Sequence, residues 1–578
     1  MIDAQLNLIT NVDEAQAFMR WLGERRPVLG LDTETTGLKP YAGDYVRMVQ
    51  FGDAKTGWAI SVHHWRGLIE QALRAYEGPT VWANRKFDRH FLQQSGFEVY
   101  PDHREHDTVI MGRLIEPNKA AGLKPTGARL FPGSEVGEMV LKEAMSRGKW
   151  TWETIPWDHP AYWAYAAWDP VLTARIAEAY WPRINNEGLR DAYDREMAVQ
   201  AILYRAERRG IRIDPMYTST LLAQWQSDAD ILLHELNQLG LSDPLSARQV
   251  AAAMQATEDW DPDDFTETGQ AKVDEAVLKG INSQISRRVL RYRRLIKWIG
   301  TYLERFLKER DGDDCVHPSI NTLQARTGRM SITGIPLQTL PRGPEIRNCI
   351  VPRPGGRLVS IDYDTMEMRT FAHFGDIAGL KRAIFDGTDL HSFAAREVYA
   401  DPTITKDDPR RQLAKNTQFC LIFGGGAGKI AETAGVSVDV AKDFLSMYLN
   451  TFPEIKPFMN VIEQVGRARL EAEGAAYIKT WGGRRVPADA DRIYALLNYL
   501  IQGSCADLFK QKIIEVDAAG LGDHIVVPVH DELVFDFPED QAEAMAKEAA
   551  EIMCEYRAFT VPLTASAGKP AERWGEAK

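Results

Sequence analysis

Two β-rich apolar runs, PVLGLDTET and RLVSIDYD, each end on carboxylates, and this recurrence constrains the chain more than any other feature. An acid left where a buried strand ends is costly unless a cation or a donor meets it. At 578 residues the chain is too long for a single core, and about three or four domains are expected. To about residue 190 strand-like and helix-like segments alternate: PVLGLDTET, RMVQFGDAKTGWAISV as two strands around a turn, TVWAN, then helical FDRHFLQQ and AYWAYAAWDPVLTARIAEAY. This alternation predicts an α/β domain. From about 190 to 310 the pattern is helical and amphipathic, as in REMAVQAILYRAERRG and RRVLRYRRLIKWIGTYLERFLKER, around a turn-rich connection DWDPDDFTETGQAK. The remainder opens on the strand RLVSIDYD, passes through helices, and closes on a hairpin, HIVVPVHDELVFDF.

Charge leaves the partner open. The net value of −12, from 69 basic and 81 acidic side chains, runs against phosphate neutralisation as a basis for binding. Net charge does not fix local potential, however. Basic clusters stand at RRVLRYRRLIKW, from Arg287, and RRQLAK, from Arg410, and carboxylates that hold cations add acid. The five cysteines are scattered without a CxxC pair, which points to a reducing cytosol and away from structural zinc. There is no apolar run of about 18 residues that would span a bilayer, nor a charged-then-apolar signal at the start.

In LDTETTG, Asp32 and Glu34 alternate along a strand, so both side chains point to one face. A solvated acidic turn accounts for this pair alone equally well. Asp88 follows a buried strand in WANRKFDRHFL, and Asp169 ends YAAWD with Tyr165 one helical turn earlier on the same face. Four acids beside apolar runs suit two hard cations, which activate water and stabilise the leaving oxygen in phosphodiester hydrolysis. A second set is Asp362, ending RLVSID, and Asp531, at the tip of the VPVHDELVFDF hairpin. Aspartate is common in tight turns for local hydrogen-bonding reasons, so Asp531 taken singly is as well explained by structure. Between them Arg411, Lys415, Phe419 and Phe423 recur at intervals of four, one helix stripe with a cationic and an aromatic half. Such a stripe reads either as a solvated basic end with a core-packed aromatic end, or as cations for a triphosphate and rings for a base. The glycines Gly424–Gly426 end that helix. They are not a P-loop, because Phe423 stands where its first glycine belongs and Ile430 where Ser or Thr should follow Lys429.

The ordered set Asp32-x-Glu34, Asn84-x3-Asp88 and Tyr165-x3-Asp169 resembles the tyrosine variant of the DEDD 3′–5′ exonucleases. DYDTMEMR, RRQLAKNTQFCLIFG and VHDELVFDF resemble motifs A, B and C of family A (DNA polymerase I type) DNA polymerases. TGRMS, LQTLP, EIRN, GTDLHSFAA, WGGRR, NYLIQGSCAD and the closing ERW fall where that family has similar segments, so the resemblance covers nearly the whole chain.

The resemblance implies an α/β multidomain fold: an N-terminal ribonuclease H-like exonuclease, then a right-hand polymerase. The expected divisions are 1–190 exonuclease, 191–315 helical thumb, 316–375 palm with motif A, 376–490 fingers with motif B, and 491–578 palm with motif C. It implies that Asp32, Glu34, Asp88 and Asp169 bind metal and that Tyr165 orients the attacking water. Asp362 and Asp531, helped by the Tyr363 carbonyl, would hold two Mg²⁺ ions, with Mn²⁺ as a substitute, for two-metal nucleotidyl transfer. Glu532 would be a helper carboxylate. Arg411, Lys415 and His391 would meet the incoming phosphates, Phe419 and Phe423 the base, and Glu367 the sugar 2′ position. Arg329, Asn498, Gln502 and His530 would lie near the primer–template terminus. The expected partners are primer–template DNA and dNTPs, with a helicase or single-strand-binding protein besides, and the expected state is a monomer. The compact plan resembles phage replicative polymerases, which would place it in a host cytoplasm. No thioredoxin clamp of the inserted-thumb type and no preceding 5′-nuclease domain are expected.

Five residues depart from the family pattern: Asp364 and Thr365 after the motif A tyrosine, Phe423 for tyrosine, Pro336 for asparagine, and Pro528 in the strand before Asp531. A single-subunit RNA polymerase shares the aspartates and the cationic stripe, but Glu367 and the exonuclease-like segment argue against it. Retention of those same groups argues against a non-catalytic scaffold.

Overall fold

The run carrying Asp32 and Glu34 becomes an inner strand of a six-stranded mixed sheet in the computed structural model, which describes residues 3–577 except 259, 263, 282, 342 and 556–558. Two of these, 259 and 263, belong to the turn-rich connection and so lie outside the described residues. The sheet comprises β1 (Gln5–Leu8), β2 (Leu29–Thr35), β3 (Val46–Gly52), β4 (Thr56–Ser61), β5 (Thr80–Trp82) and β6 (Glu105–Asp107), in the order β1-β4-β3-β2-β5-β6. β2 runs antiparallel to β3 and parallel to β5, and it is buried along almost its whole length.

The helix Pro160–Asn186 crosses this sheet at backbone contact distance. A Cβ on Gly30 would stand 2.0 Å from the carbonyl oxygen of Pro170, and one on Gly57 would stand 1.9 Å from that of Ala167. Only glycine permits this approach. It locks the helix over β2 next to Asp169, so the register that brings the acids together is set by residues outside the acid motifs.

The helical region that follows contains the helices Arg190–Arg209, Pro215–Gln238, Ala247–Thr257, Glu275–Gly280 and Gln284–Trp298. The long basic helix is not uniform. It passes from α-helical Gln284–Trp298 through a π-helical turn, Ile299–Leu303, and back to α-helix at Glu304–Glu309. The wider turn packs Ile299, Tyr302 and Leu303 inward.

Asp362 ends the strand Gly356–Tyr363, the inner member of an antiparallel four-stranded sheet. Glu532–Pro538 and Ala565–Ala567 flank it, and Ile525–Val529 forms an edge. Pro528 lies in that edge strand, paired in register with Leu533, the edge placement that a residue without a backbone donor tolerates. The largest core packs this sheet, through Val359, Ile361 and Phe535, against Leu508 and Phe509 of the buried helix Leu496–Ala518.

The helix Arg190–Arg209 joins the two halves. Its Glu207 binds Lys86 and, at 2.8 Å, His90 of the first sheet domain. Its Glu196 pairs with Lys510 at 2.5 Å, both side chains sealed from solvent. Removing one partner strands the other charge, so Lys510→Met is expected to cost about 3–5 kcal/mol. A thermal melt checks this: Lys510→Met should lower the Tm, and the double variant Glu196→Leu/Lys510→Met should regain most of the loss.

Candidate active sites

Strand alternation carries Asp32 and Glu34 to one face of β2, and the glycine-seated helix brings Asp169 down on them. Carboxylate oxygens of Asp32, Glu34 and Asp169 all lie within 4.8 Å of one another. Tyr165 lies one turn before Asp169 on the same helix, with its ring beside Lys124 Nζ. Asp88 stands beside this triplet rather than within it. It sits on the buried helix Arg85–Gln94 and accepts a 2.7 Å bond from Thr33 Oγ1. That helix is launched by Asn84 in the left-handed region (φ 75°), and Asp107 accepts from the amides of Asn84 and Arg85 at 3.2 and 3.0 Å. Strain of this kind persists only where the surroundings hold it.

Burial first, and then mutual repulsion, pushes Asp32 well above the usual carboxylate range. The same causes raise Glu34. Burial raises Asp88 to about 8, although the Thr33 hydrogen bond opposes the shift. A nest of oxygen donors that resists ionisation by itself has the chemistry of a hard-cation site. One cation is already there: Lys124 Nζ binds Asp169 Oδ1 and lies 4.0 Å from the centre of the Tyr165 ring. Sequence reasoning missed it, since a single lysine in GLKPTG carries no pattern.

At the second site, Asp362 and Asp531 lie at the same end of neighbouring strands. Asp362 is in register with Glu532, and the Tyr363 amide donates to the Asp531 carbonyl at 3.3 Å. A two-residue turn, His530–Asp531, joins Ile525–Val529 to Glu532–Pro538, with His530 at φ 55°, the positive φ that such tight hairpins favour. The His530 ring anchors the turn through a 3.0 Å bond between Nε2 and the Gln338 carbonyl. Arg329 Nη2 reaches Glu367 at 2.5 Å and Asp531 at 4.0 Å. Burial raises the pKa of Asp531 against the opposing pull of Arg329, and Glu367 is raised for the same reason. Gln502, buried on the helix Leu496–Ala518, acts with Arg329 to oppose that rise. Asn498, one helical turn before Gln502, has a buried Oδ1 without a hydrogen-bond partner among the described residues.

Glu532 is buried, accepting from Ser360 Oγ and, at 3.2 Å, from the indole of Trp574, so the ERW segment at the far end of the chain secures it. The Tyr363 hydroxyl donates to the Met553 carbonyl at 2.7 Å.

Arg411, Lys415 and Phe419 do share the helix Pro409–Ile422, and Phe423 caps it before Gly424, at φ 73°, turns the chain. Arg411 is held by Asp389 at 2.9 Å and Ser392 at 3.1 Å. His391 is buried, hydrogen-bonded to Gln418, with its ring 5.8 Å from Phe419. Of the departures, Asp364 accepts from Ser566 at 3.0 Å, Thr365 starts the helix Met366–Phe374 at φ 51°, and Pro336 caps the short helix Leu337–Thr339. Phe423 is 44% exposed, which leaves its ring accessible for stacking.

An acid nest on an N-terminal mixed sheet, followed by an antiparallel sheet with its own strand-end acids, is the organisation of a polymerase that carries a nuclease domain. Residues 219–576 match DNA polymerase family A, and residues 6–185 match the 3′–5′ exonuclease family. The chain therefore belongs to DNA polymerase family A and has a 3′–5′ exonuclease domain ahead of its polymerase domain. It is 31% identical to the DNA polymerase of Mycobacterium phage D29, over 95% of this chain and 93% of that one. It is 29% identical to DNA polymerase I of Chloroflexus aurantiacus, over 96% of this chain and 62% of the relative. Its fold matches the POL domain of Pol1 from M. smegmatis, solved in complex with DNA primer-template and dNTP. That match has a TM-score of 0.80 at 21% identity and covers 99% of this chain and 100% of the other. No helix among the described residues is long and apolar enough to cross a membrane.

Proposed function

We propose that the chain is a DNA-templated DNA polymerase that adds deoxynucleotides to a primer 3′ end and proofreads that end, in phage or bacterial DNA replication. One observation carries the reading: Asp362 and Asp531 stand at one end of adjacent strands, with Arg329 and Glu367 closing over Asp531. The oxygen donors at both sites fit Mg²⁺ or Mn²⁺: Asp362 and Asp531, with the Tyr363 carbonyl, in the polymerase, and Asp32, Glu34, Asp88 and Asp169 in the exonuclease. Divalent ions held there, two per site, would supply a lowered pKa to the attacking hydroxyl or water and charge compensation to the leaving oxygen.

The other steps belong to side chains. Arg411, oriented by Asp389, and Lys415 meet the triphosphate, while Phe419 and Phe423 offer stacking surface to the base. His391, fixed by Gln418, backs this group from the neighbouring helix Leu390–Tyr399. Asn498, whose Oδ1 has no hydrogen-bond partner among the described residues, and Gln502, Arg329 and His530 line the path of the primer–template terminus. At the other site, Tyr165 holds the attacking water against Asp169.

In this reading residues 1–190 form the exonuclease, 191–315 the thumb, 316–375 and 491–578 the palm, and 376–490 the fingers. The enzyme works in the cytoplasm as a monomer on primer–template DNA, alongside a helicase or single-strand-binding protein and without a thioredoxin clamp.

Glu367 is the sugar filter. Wild-type enzyme is expected to incorporate dATP far faster than ATP on a primed template, and Glu367→Ala to erode that preference about 10–100-fold, the range of one lost steric or polar discrimination. Equal wild-type rates for the two nucleotides would overturn the assignment.

A further inference from the structure

We infer that Lys124 is a positioning residue of the exonuclease site: a resident ammonium that compensates the acid nest, holds Asp169 and Tyr165 in place, and yields Asp169 to a divalent ion. This rests on reading Asp32, Glu34 and Asp169 as the ion-holding carboxylates. Lys124 makes the only ion pair to any of Asp32, Glu34, Asp88 and Asp169 among the described residues. Its side chain is 21% exposed and that of Asp169 is 5% exposed, so water screens the pair poorly. The same Nζ lies against the Tyr165 ring, which ties together the two side chains that the helix Pro160–Asn186 lends to the site. Arg47, a second cation whose charge acts on Glu34, is committed elsewhere, donating to the carbonyls of Trp152 at 2.5 Å and Ile155 at 2.7 Å.

The backbone that presents Lys124 is anchored. It is the second residue of the helix Leu123–Leu130, in which Thr126 and Gly127 are buried. A Cβ on Gly127 would stand 2.6 Å from Leu172 Cδ2 of the Asp169 helix. An ammonium on a four-carbon stem swings aside without unfolding its helix, so the nest has a counter-ion when metal-free and a free Asp169 carboxylate when metal arrives.

The test uses full-length wild type, Lys124→Met and Lys124→Arg, with Mn²⁺ as the probe ion. Three readouts are taken: Tm with and without Mn²⁺, 3′-end degradation of single-stranded DNA, and primer extension. Lys124→Met is expected to lower the metal-free Tm and to show a larger Mn²⁺-induced rise than wild type. It should slow degradation about 10–100-fold, the usual effect of losing a group that orients metal ligands, mainly in kcat rather than KM, and leave extension intact. Lys124→Arg, which keeps the charge, should recover the metal-free Tm. Should Lys124→Met fail to fold, as judged by lost extension, Lys124→Gln carries the same expectations. Wild-type degradation matched by the neutral variant, with an equal Mn²⁺ response, would overturn the role of Lys124. A wild type unable to degrade a 3′ end would instead overturn the exonuclease reading.

Discussion

Asp531→Asn is expected to reduce primer extension at least about 10³-fold while primer–template binding stays within a few-fold of wild type. The substitution is nearly isosteric, and asparagine is at home in tight turns, so the His530–Asp531 hairpin and its bond to the Gln338 carbonyl persist. What disappears is one of two carboxylate charges at the end of the sheet. Stabilisation worth about 4 kcal/mol in the transition state corresponds to about 10³-fold in rate. Binding should survive because phosphate contacts, not palm acids, dominate affinity for DNA. Undiminished extension by Asp531→Asn would show that the chemistry is elsewhere.

The second large effect is on degradation. Asp32→Ala is expected to abolish 3′-end shortening, again by at least about 10³-fold, without slowing extension. The metal-free protein should be no less stable, because Asp32 is half-buried among like charges from Asp88, Asp169 and Glu34. Deleting it relieves repulsion and removes a desolvated acid. A thermal melt in chelator separates this from damage: the Tm should hold or rise. A Tm that falls together with activity would mean that Asp32 supports the fold rather than the reaction.

Much of this was legible in the chain because it depends on local periodicity. Period two places Asp32 and Glu34 together, period four aligns Arg411, Lys415 and Phe419, and a polar pair between two β-rich runs makes the hairpin that bears Asp531. Contacts between elements distant in sequence were not legible. Lys124 meets Asp169 only because Gly30 and Gly57 let a helix settle onto the sheet. Asp88 turns to Thr33 instead of joining the triplet. Glu532 is a carboxylate next to Asp531 by sequence, yet the indole of Trp574 and the Ser360 hydroxyl hold it buried. Glu367 reads as a sugar filter but also neutralises Arg329 beside Asp531. The departures have local explanations: Pro528 occupies an edge strand, and Asp364 is engaged by Ser566. Thr365 is different, a β-branched residue at φ 51°, a conformation that costs energy, at the turn that positions Glu367.

The central claim is that one chain holds two separable active sites, synthesis at Asp362 and Asp531 and editing at the Asp32 nest. The most direct test is a time course with Mg²⁺ and dNTPs on primers with matched or mismatched 3′ ends, comparing wild type, Asp531→Asn and Asp32→Ala. Wild type should extend both primers, trimming the mismatch first. Asp531→Asn should only shorten, and Asp32→Ala should extend the matched end and stall on the mismatch. Extension by Asp531→Asn, or shortening by Asp32→Ala, would contradict the account.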